Sequence, residues 1–393
     1  MPWPEDHAKL DRVRALMAEQ QLDAIVARAP DNILYLTSYW CMKGYDAVVF
    51  PAQGEPVLAV LEPQLEEAER ASWKTELRPF AGYHPADPRP PWFRARDVCI
   101  EVLNERDLTG RIGLELTQGT QAADRMVAEP TVYSQDWFDG FDGAAREVVD
   151  CSGLLANARA IKTAQEIERM RLAGELAAAA MEHVAAQIRP GMTCSEVGAM
   201  YEAHVHSHGV GYQDRVDMAR AFTLVWSGRS IRTFTATSNA SVSEHEPTLF
   251  EIWVCADGYW CDLTKNACPG KLTPAYDALT DQLLDVYGRA IEHLRPGASL
   301  AELDRIVRSG IDEMGFPGQP SHPIAHGVGA RAHEPPYAHQ AGSGELREGM
   351  VMAVEPGAYW AGGGGLRIED NFLVTASGSE RLGTYPDDFR GLS

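Results

Sequence analysis

The sequence predicts an α+β protein in two parts: a smaller α/β domain, residues 1–158, and a larger domain, residues 159–393, made of two duplicated halves related by a pseudo-two-fold axis. Three observations predict it. Short helix-like and strand-like segments alternate through the first part, as in an α/β layer. The segment Ile188-Arg-Pro-Gly-Met-Thr193-Cys-Ser-Glu196-Val197 returns 106 residues later as Leu294-Arg-Pro-Gly-Ala-Ser299-Leu-Ala-Glu302-Leu303. Each copy is followed by a helix and then by paired strands that carry acids among apolar residues, the simplest sign of a half-domain used twice.

With 393 residues, 45% of them hydrophobic, the chain is long enough to bury large cores in more than one domain. A formal charge of −21 repels nucleic acid and anionic membranes and leaves small molecules as the expected partners. The seven cysteines include no C-x-x-C pair, so neither a disulfide framework nor a zinc ribbon is expected, and a reducing cytoplasm fits. The N-terminus has acids at helical spacing where a signal peptide would need a basic start and an apolar run. No stretch reaches the ~18 uninterrupted apolar residues of a membrane-spanning helix.

Taken in order, Leu10, Val13, Leu16 and Met17 give an amphipathic helix over residues 6–20, and Ala24-Ile-Val-Ala27 a strand. Strands are expected at 47–50, 57–60 and 111–115, a helix at 64–72, and an irregular loop over the five prolines of 79–91. Thr163-Ala-Gln-Glu166 is a capping box that opens a long helix running through Ile167, Met170, Ala177, Met181, Val184 and Ile188. Both copies of the repeat end a helix at Pro-Gly and open another with a capping box.

Phe250 to Gly270 reads as a hairpin closed by Asp257-Gly258, the strongest short-range hairpin signal. A two-residue loop sets Ala256 opposite Tyr259 and Trp253 opposite Asp262. Glu251 and Asp262 then become diagonal neighbours about 7–8 Å apart on one face. Two carboxylates on such apolar strands call for a cation or a shared proton if that face is buried; an edge hairpin with its acidic face in water is the other reading. The second half offers the matching acids Glu355 and Glu369 on strands 350–355 and 366–370, so four carboxylates can face one centre. Between them His326 and His333 flank a turn whose glycines, 327 and 329, allow close backbone approach.

In these motifs the chain resembles the pita-bread metallohydrolases, which include prolidase, aminopeptidase P, methionine aminopeptidase and creatinase. Asp31-Asn-Ile-Leu-Tyr35-Leu-Thr-Ser-Tyr39 is similar to the N-terminal domain signature, and residues 160–171 to the domain junction. The resemblance implies a pita-bread catalytic domain behind a creatinase-type N-terminal domain. Glu251, where an Asp is usual, Asp262, His326, Glu355 and Glu369 would then be ligands of two divalent ions, Mn²⁺, Co²⁺, Fe²⁺ or Zn²⁺, with Asp262 and Glu369 as bridges. Glu355 would accept the proton of the attacking water, His333 would stabilise the tetrahedral oxyanion, and Arg367, two residues before Glu369 on the same strand face, would orient a carboxylate there. A homodimer whose N-terminal domain helps close the partner's pocket is also implied.

The expected activity is hydrolysis of a C–N amide bond in a small substrate, of the Xaa-Pro dipeptidase or aminopeptidase type. Two departures support an alternative. Glu251 adds a methylene, and FEIWVC is more similar to the ectoine-hydrolase branch. The histidine that relatives carry ~17 residues before the first acid, where a leaving amine would be protonated, is missing from Arg232-Thr-Phe-Thr-Ala236, and His245 is too close to the strand to replace it. The alternative is a creatinase- or ectoine-hydrolase-like enzyme, metal-independent, with Glu251 as nucleophile or base. A binding module without catalysis is the third reading. His204, His206 and His208 read as a surface helix end before Gly209, Gly362 to Gly365 as a hairpin tip, and Trp253 and Trp260 as core residues.

Overall fold

The computed structural model describes residues 3–42, 44–117, 135–233 and 235–391. By its contacts the chain divides into two units, residues 1–159 and 160–393. The first contains α1 (His7–Glu19), β1 (Ala24–Ala27), α2 (Pro30–Thr37), β2 (Ala47–Pro51), β3 (Val57–Leu61), α3 (Leu65–Ala71), β4 (Glu76–Phe80), α4 (Pro91–Glu105), β5 (Arg111–Leu114), α5 (Gln135–Asp139), β6 (Glu147–Asp150) and α6 (Ser152–Ala160). Its six strands form one mixed sheet in the order β4-β3-β2-β1-β5-β6. Alternate residues of β1 feed two cores, Ile25 and Ala27 one and Ala24 and Val26 the other, because successive side chains point to opposite faces.

The helix expected over 6–20 forms one residue shorter at each end, since Asp6 caps it by accepting from the Lys9 amide at 3.2 Å. Glu115 was expected to close β5. Instead β5 stops at Leu114, and the buried Glu115 carboxylate accepts from the amides of Arg28 (2.7 Å) and Ala29 (3.1 Å), which lead into α2. A carboxylate serves a helix start better than a strand end, because the first amides of a helix have no partners of their own. The proline-rich loop is shorter than expected at both ends. Pro79 lies in β4, an edge strand that tolerates the missing amide, and Pro91 is the first residue of α4, where proline's fixed φ suits a helix.

The second unit follows with α7 (Ala164–Ala185), α8 (Cys194–His208), β7 (Ala219–Ser227), β8 (Thr248–Ala256), β9 (Tyr259–Ala267), α9 (Pro274–His293), α10 (Leu300–Glu313), β10 (Ala325–Gly327), β11 (Glu334–Tyr337), β12 (Val351–Val354), β13 (Gly357–Tyr359), β14 (Gly365–Arg367), β15 (Asp370–Thr375) and β16 (Gly378–Arg381). The duplication is visible in its order. Each half supplies two helices and then an antiparallel meander, β7-β8-β9 in the first and β10-β12-β15 in the second, the latter extended by β11 and β16. Capping boxes start α7 and α8, while α10 keeps only the half in which the Ser299 side chain accepts from the Glu302 amide. Gly191 and Gly297, the glycines of the two repeat copies, both adopt positive φ.

The second strand pair differs from expectation in its partners. β12 pairs with β15, Val351 opposite Leu373 and Val354 opposite Asp370, and Leu366 and Arg367 pair instead with Ala358 and Gly357. One register nevertheless runs through both ladders, interrupted where Pro356 has no amide to give, and it sets Glu355 opposite Glu369. The two meanders meet along β9 and β15. Thr264 bridges to Glu369, and Asp262 exchanges two hydrogen bonds with the Asn371 side chain, at 3.0 and 2.8 Å. One residue further on, the buried Lys265 ammonium holds Asp370 and Asp387, each at 2.7 Å, with Arg381 on the same pair.

That buried cation ties β9 to β15. Lys265→Met should cost stability at the low end of about 3–5 kcal/mol, because Arg381 still compensates part of the charge left on Asp370. Urea unfolding measures this, and a loss under about 1 kcal/mol would mean that the pair does not hold the seam.

Candidate metal centre

The β8–β9 hairpin forms in the predicted register, Trp253 opposite Asp262 and Ala256 opposite Tyr259, so the side chains of Glu251 and Asp262 share a face. His326 lies on β10, paired with Ala353 of β12. Gly327 must be glycine, since a Cβ there would meet the Pro335 and Glu334 carbonyls at 2.6 and 2.7 Å. That close crossing stacks the His326 and His333 rings, with centroids 4.4 Å apart. Behind them the buried Lys162–Glu334 ion pair, 2.8 Å, fixes the start of β11.

The structure brings Asp262, His326, His333, Glu355 and Glu369 together. Their donor atoms form two groups, Asp262 with both histidines, and His326 with Glu355 and Glu369; within each group all atoms lie within 4.8 Å of one another. His326 Nε2 lies 3.7 Å from Asp262 and 3.5 Å from Glu355, and His333 Nε2 lies 3.5 Å from Asp262. Histidines are the only partners recorded for Asp262 among the described ion pairs. Its Oδ2 and the Nε2 of His326 are buried with no hydrogen-bond partner, a state that buried polar atoms rarely keep without a ligand. His326 Nδ1 contacts the Gly327 carbonyl at 3.0 Å. A carbonyl can only accept, so Nδ1 holds the proton and the Nε2 lone pair faces the acids, as in a metal-ligating imidazole.

Burial and repulsion among neighbouring acids set the electrostatics. Desolvation, then Glu369, Glu355 and Glu251, hold the Asp262 carboxyl well above the usual range. Burial likewise pushes Glu355 up to about 7 and, with Glu355 beside it, Glu369 up to about 8. Desolvation keeps His326 below the usual histidine range, hence neutral. Three carboxylates thus converge without enough protein cation, and one imidazole adds a lone pair. This donor set fits divalent ions, and protons substitute in their absence.

Glu251, expected to be a ligand, is not brought into either group. Its longer side chain reaches Arg367, whose guanidinium lies 2.7 Å away. Arg367 was expected to orient a carboxylate of the site, and the one it contacts directly is Glu251. It reaches Glu369 only through Thr264: Arg367 Nε donates to Thr264 Oγ1, which donates to Glu369 Oε2, both at 2.7 Å.

His322 was missed by sequence reasoning. It is buried, with Nδ1 3.2 Å from Glu355 and Nε2 3.1 Å from the Tyr359 hydroxyl, and desolvation lowers its pKa to about 4. Its spacing of four from His326 was the available signal. His245 is exposed against the Lys271 carbonyl, away from these acids. Phe234, in the window that lacks a histidine, lies outside the described residues. Trp253 and Trp260 are buried, Trp253 with its ring 6.3 Å from His333. Gly362 to Gly364 lie in the tip between β13 and β14, and Gly365 opens β14 opposite Tyr359, all four at positive φ.

The profile of metallopeptidase family M24 matches residues 168–376, and that of the creatinase/prolidase N-terminal domain matches residues 9–161. The chain is 27% identical over 391 residues to a putative dipeptidase, YkvY, of Bacillus subtilis, covering 97% of this chain and 98% of that protein. It is 26% identical to the Xaa-Pro dipeptidase of Pyrococcus furiosus, covering 95% and 97%. Among solved structures, the prolidase of Pyrococcus horikoshii superposes with a TM-score of 0.79 at 23% identity, covering 98% of this chain and all of that one. The prolidase of Pyrococcus furiosus gives 0.75 at 25%, covering 95% and 99%.

Carboxyls with a raised folded-state pKa hold extra protons in the folded chain. Their contribution to stability is therefore present at low pH and lost as pH rises from about the ordinary glutamate value, 4.5, through about 8. Chelated protein should show a Tm falling over that window more steeply than in Glu369→Gln, and Mn²⁺ should raise Tm most at the alkaline end. Parallel curves for the two proteins would contradict the charge assignment.

Proposed function

The chain belongs to metallopeptidase family M24, and on that premise we propose that it hydrolyses the amide bond of Xaa-Pro dipeptides with two divalent ions, Mn²⁺, Co²⁺, Fe²⁺ or Zn²⁺. Asp262, His326, Glu355 and Glu369 would hold the ions, with His333 in reach beside Asp262. The observation that carries this reading is the convergence of three buried carboxylates and a deprotonated imidazole nitrogen, from both duplicated meanders, with too little internal cation to match them, since Arg367 lies 2.7 Å from Glu251 and only 3.9 Å from Glu355. When bound, the ions supply Lewis acidity toward the scissile carbonyl.

The chain's own groups do the rest. Glu355, whose carboxylate lies 3.5 Å from His326, would accept a proton and return it, the requirement for a general acid–base group. His322, linked to the Tyr359 hydroxyl, positions the Glu355 carboxyl from behind. His333, partly exposed beside Asp262 and stacked on His326, would donate to the developing oxyanion. Arg367 fixes Glu251 and, through Thr264, Glu369. The reading takes the working form to be a cytoplasmic homodimer, in line with the family likeness and with seven buried, unpaired cysteines.

One observation favours a second reading. Because Arg367 draws Glu251 away from both donor groups, a creatinase- or ectoine-hydrolase-like reaction on another small C–N bond fits a chain with a reduced or absent metal requirement. Metal content separates the two: about two ions per chain support the dipeptidase, and none supports the alternative. Metal-loaded protein should release proline from Ala-Pro or Gly-Pro, and Glu355→Gln should lower kcat by at least about 10²-fold. Intact dipeptides after incubation with loaded enzyme would reject the substrate, and unchanged kcat in the variant would reject the role of Glu355.

A further inference from the structure

A cavity of about 410 Å³ opens between the loop that follows β7 and the tip between β13 and β14. The two segments are joined where the Gly364 amide donates to the Ile231 carbonyl at 3.2 Å. Ile231, Tyr359 and Trp360 give the cavity apolar and aromatic walls, and Thr233 and Ser321 add hydroxyls. Arg232 is the one charged residue among the described residues that line it.

Tyr359 connects this cavity with the carboxylate cluster. Gln319 fixes its backbone through two hydrogen bonds, at 2.7 and 2.8 Å. The ring runs back along β13, where a Cβ on Gly357 would meet the hydroxyl at 2.7 Å. That hydroxyl lies 3.1 Å from His322 Nε2, and His322 Nδ1 lies 3.2 Å from Glu355. On β14, Arg367 of the cluster stands two positions from Gly365, the partner of Tyr359, or about 7 Å along the strand. Two residues of extended peptide span about the same length, so a small substrate with its scissile bond at the acids reaches the cavity with its far end.

We propose that Arg232 binds the free carboxylate of the substrate and so selects amides whose leaving half ends in an acid. Charge points that way. The Arg232 guanidinium is exposed and donates to the Gly362 carbonyl at 3.4 Å, and no acid pairs with it among the described residues. In a chain of net charge −21, an arginine kept free of carboxylates beside an acidic centre offers an anion its place. Its planar fork matches a carboxylate with two parallel hydrogen bonds. A substrate ammonium is repelled there and drawn to the acids instead, which sets the direction in which the substrate lies. The aromatic walls suit a pyrrolidine ring. Arg232 also belongs to the window that lacks the expected histidine, so that window still carries a cation, one whose charge does not vary with pH.

The proposal rests on the hydrolase reading of the buried centre, and its test keeps the two apart. Metal-loaded wild type should show a kcat/KM for Ala-Pro at least about tenfold above that for Ala-Pro amide, whose carboxyl end is uncharged. In Arg232→Met that preference should disappear, and Arg232→Lys should restore part of it. N-acetylproline keeps the carboxylate and needs no turnover. It should raise the Tm of wild type more than N-acetylprolinamide does, with no such difference in Arg232→Met. Hydrolysis of Ala-Pro with the same acid-to-amide ratio in wild type and Arg232→Met would overturn the role of Arg232 and leave the dipeptidase standing. Absence of hydrolysis, with the N-acetylproline difference present in wild type and lost in Arg232→Met, would remove the dipeptide and keep the carboxylate site. Absence of hydrolysis with equal Tm shifts from the two probes would overturn both.

Discussion

Uncompensated negative charge, buried where two duplicated meanders meet, is the constraint on which the second unit depends. Asp262, Glu355 and Glu369 are almost fully enclosed, and Arg367 is committed first to Glu251. Desolvating acids in this way is costly unless protons or cations neutralise them. The surrounding structure holds the acids at that cost through the Asp262–Asn371 exchange, the Thr264 link and the Lys265 ion pairs, all of which cross the seam between β9 and β15. Rigid strands keep the donors in place, which is what a preorganised site needs.

Much of this was legible in the sequence where local chemistry decides the outcome. Asp257-Gly258 admits one tight hairpin, and the strand period of two then places Glu251 and Asp262 on one face without further information. Capping boxes marked α7 and α8 because their signal lies within four residues. The partners of Leu366 and Arg367 were not legible, because the interruption at Glu355-Pro356 divides one register between two ladders. The fate of Glu251 depends on a guanidinium more than a hundred residues away, and no spacing rule reaches that far. His322 was overlooked for a related reason: its neighbours Glu355 and Tyr359 come from later strands.

The first unit shows the same division. β1 and the core of α1 follow from periodicity alone. By contrast, Glu115 serves the start of α2 from over eighty residues away, and Pro79 and Pro91 gain their meaning from an edge strand and a helix start that composition does not announce. Proline content identified the loop, while its limits were set by tertiary position.

The adjacent acids Glu369 and Asp370 divide the strand between two faces. Asp370 meets Lys265 and Arg381, internal counter-ions supplied by the fold, whereas Glu369 faces the carboxylate cluster, where a proton or an ion from solution has to neutralise it. A one-residue slip of β15 would exchange them, placing the supplied acid in the cluster and its bare neighbour against the lysine. Both positions would then still carry a carboxylate, so charge alone does not choose between the registers; the choice falls to side-chain length and to the two Asp262–Asn371 hydrogen bonds, which a slip would break.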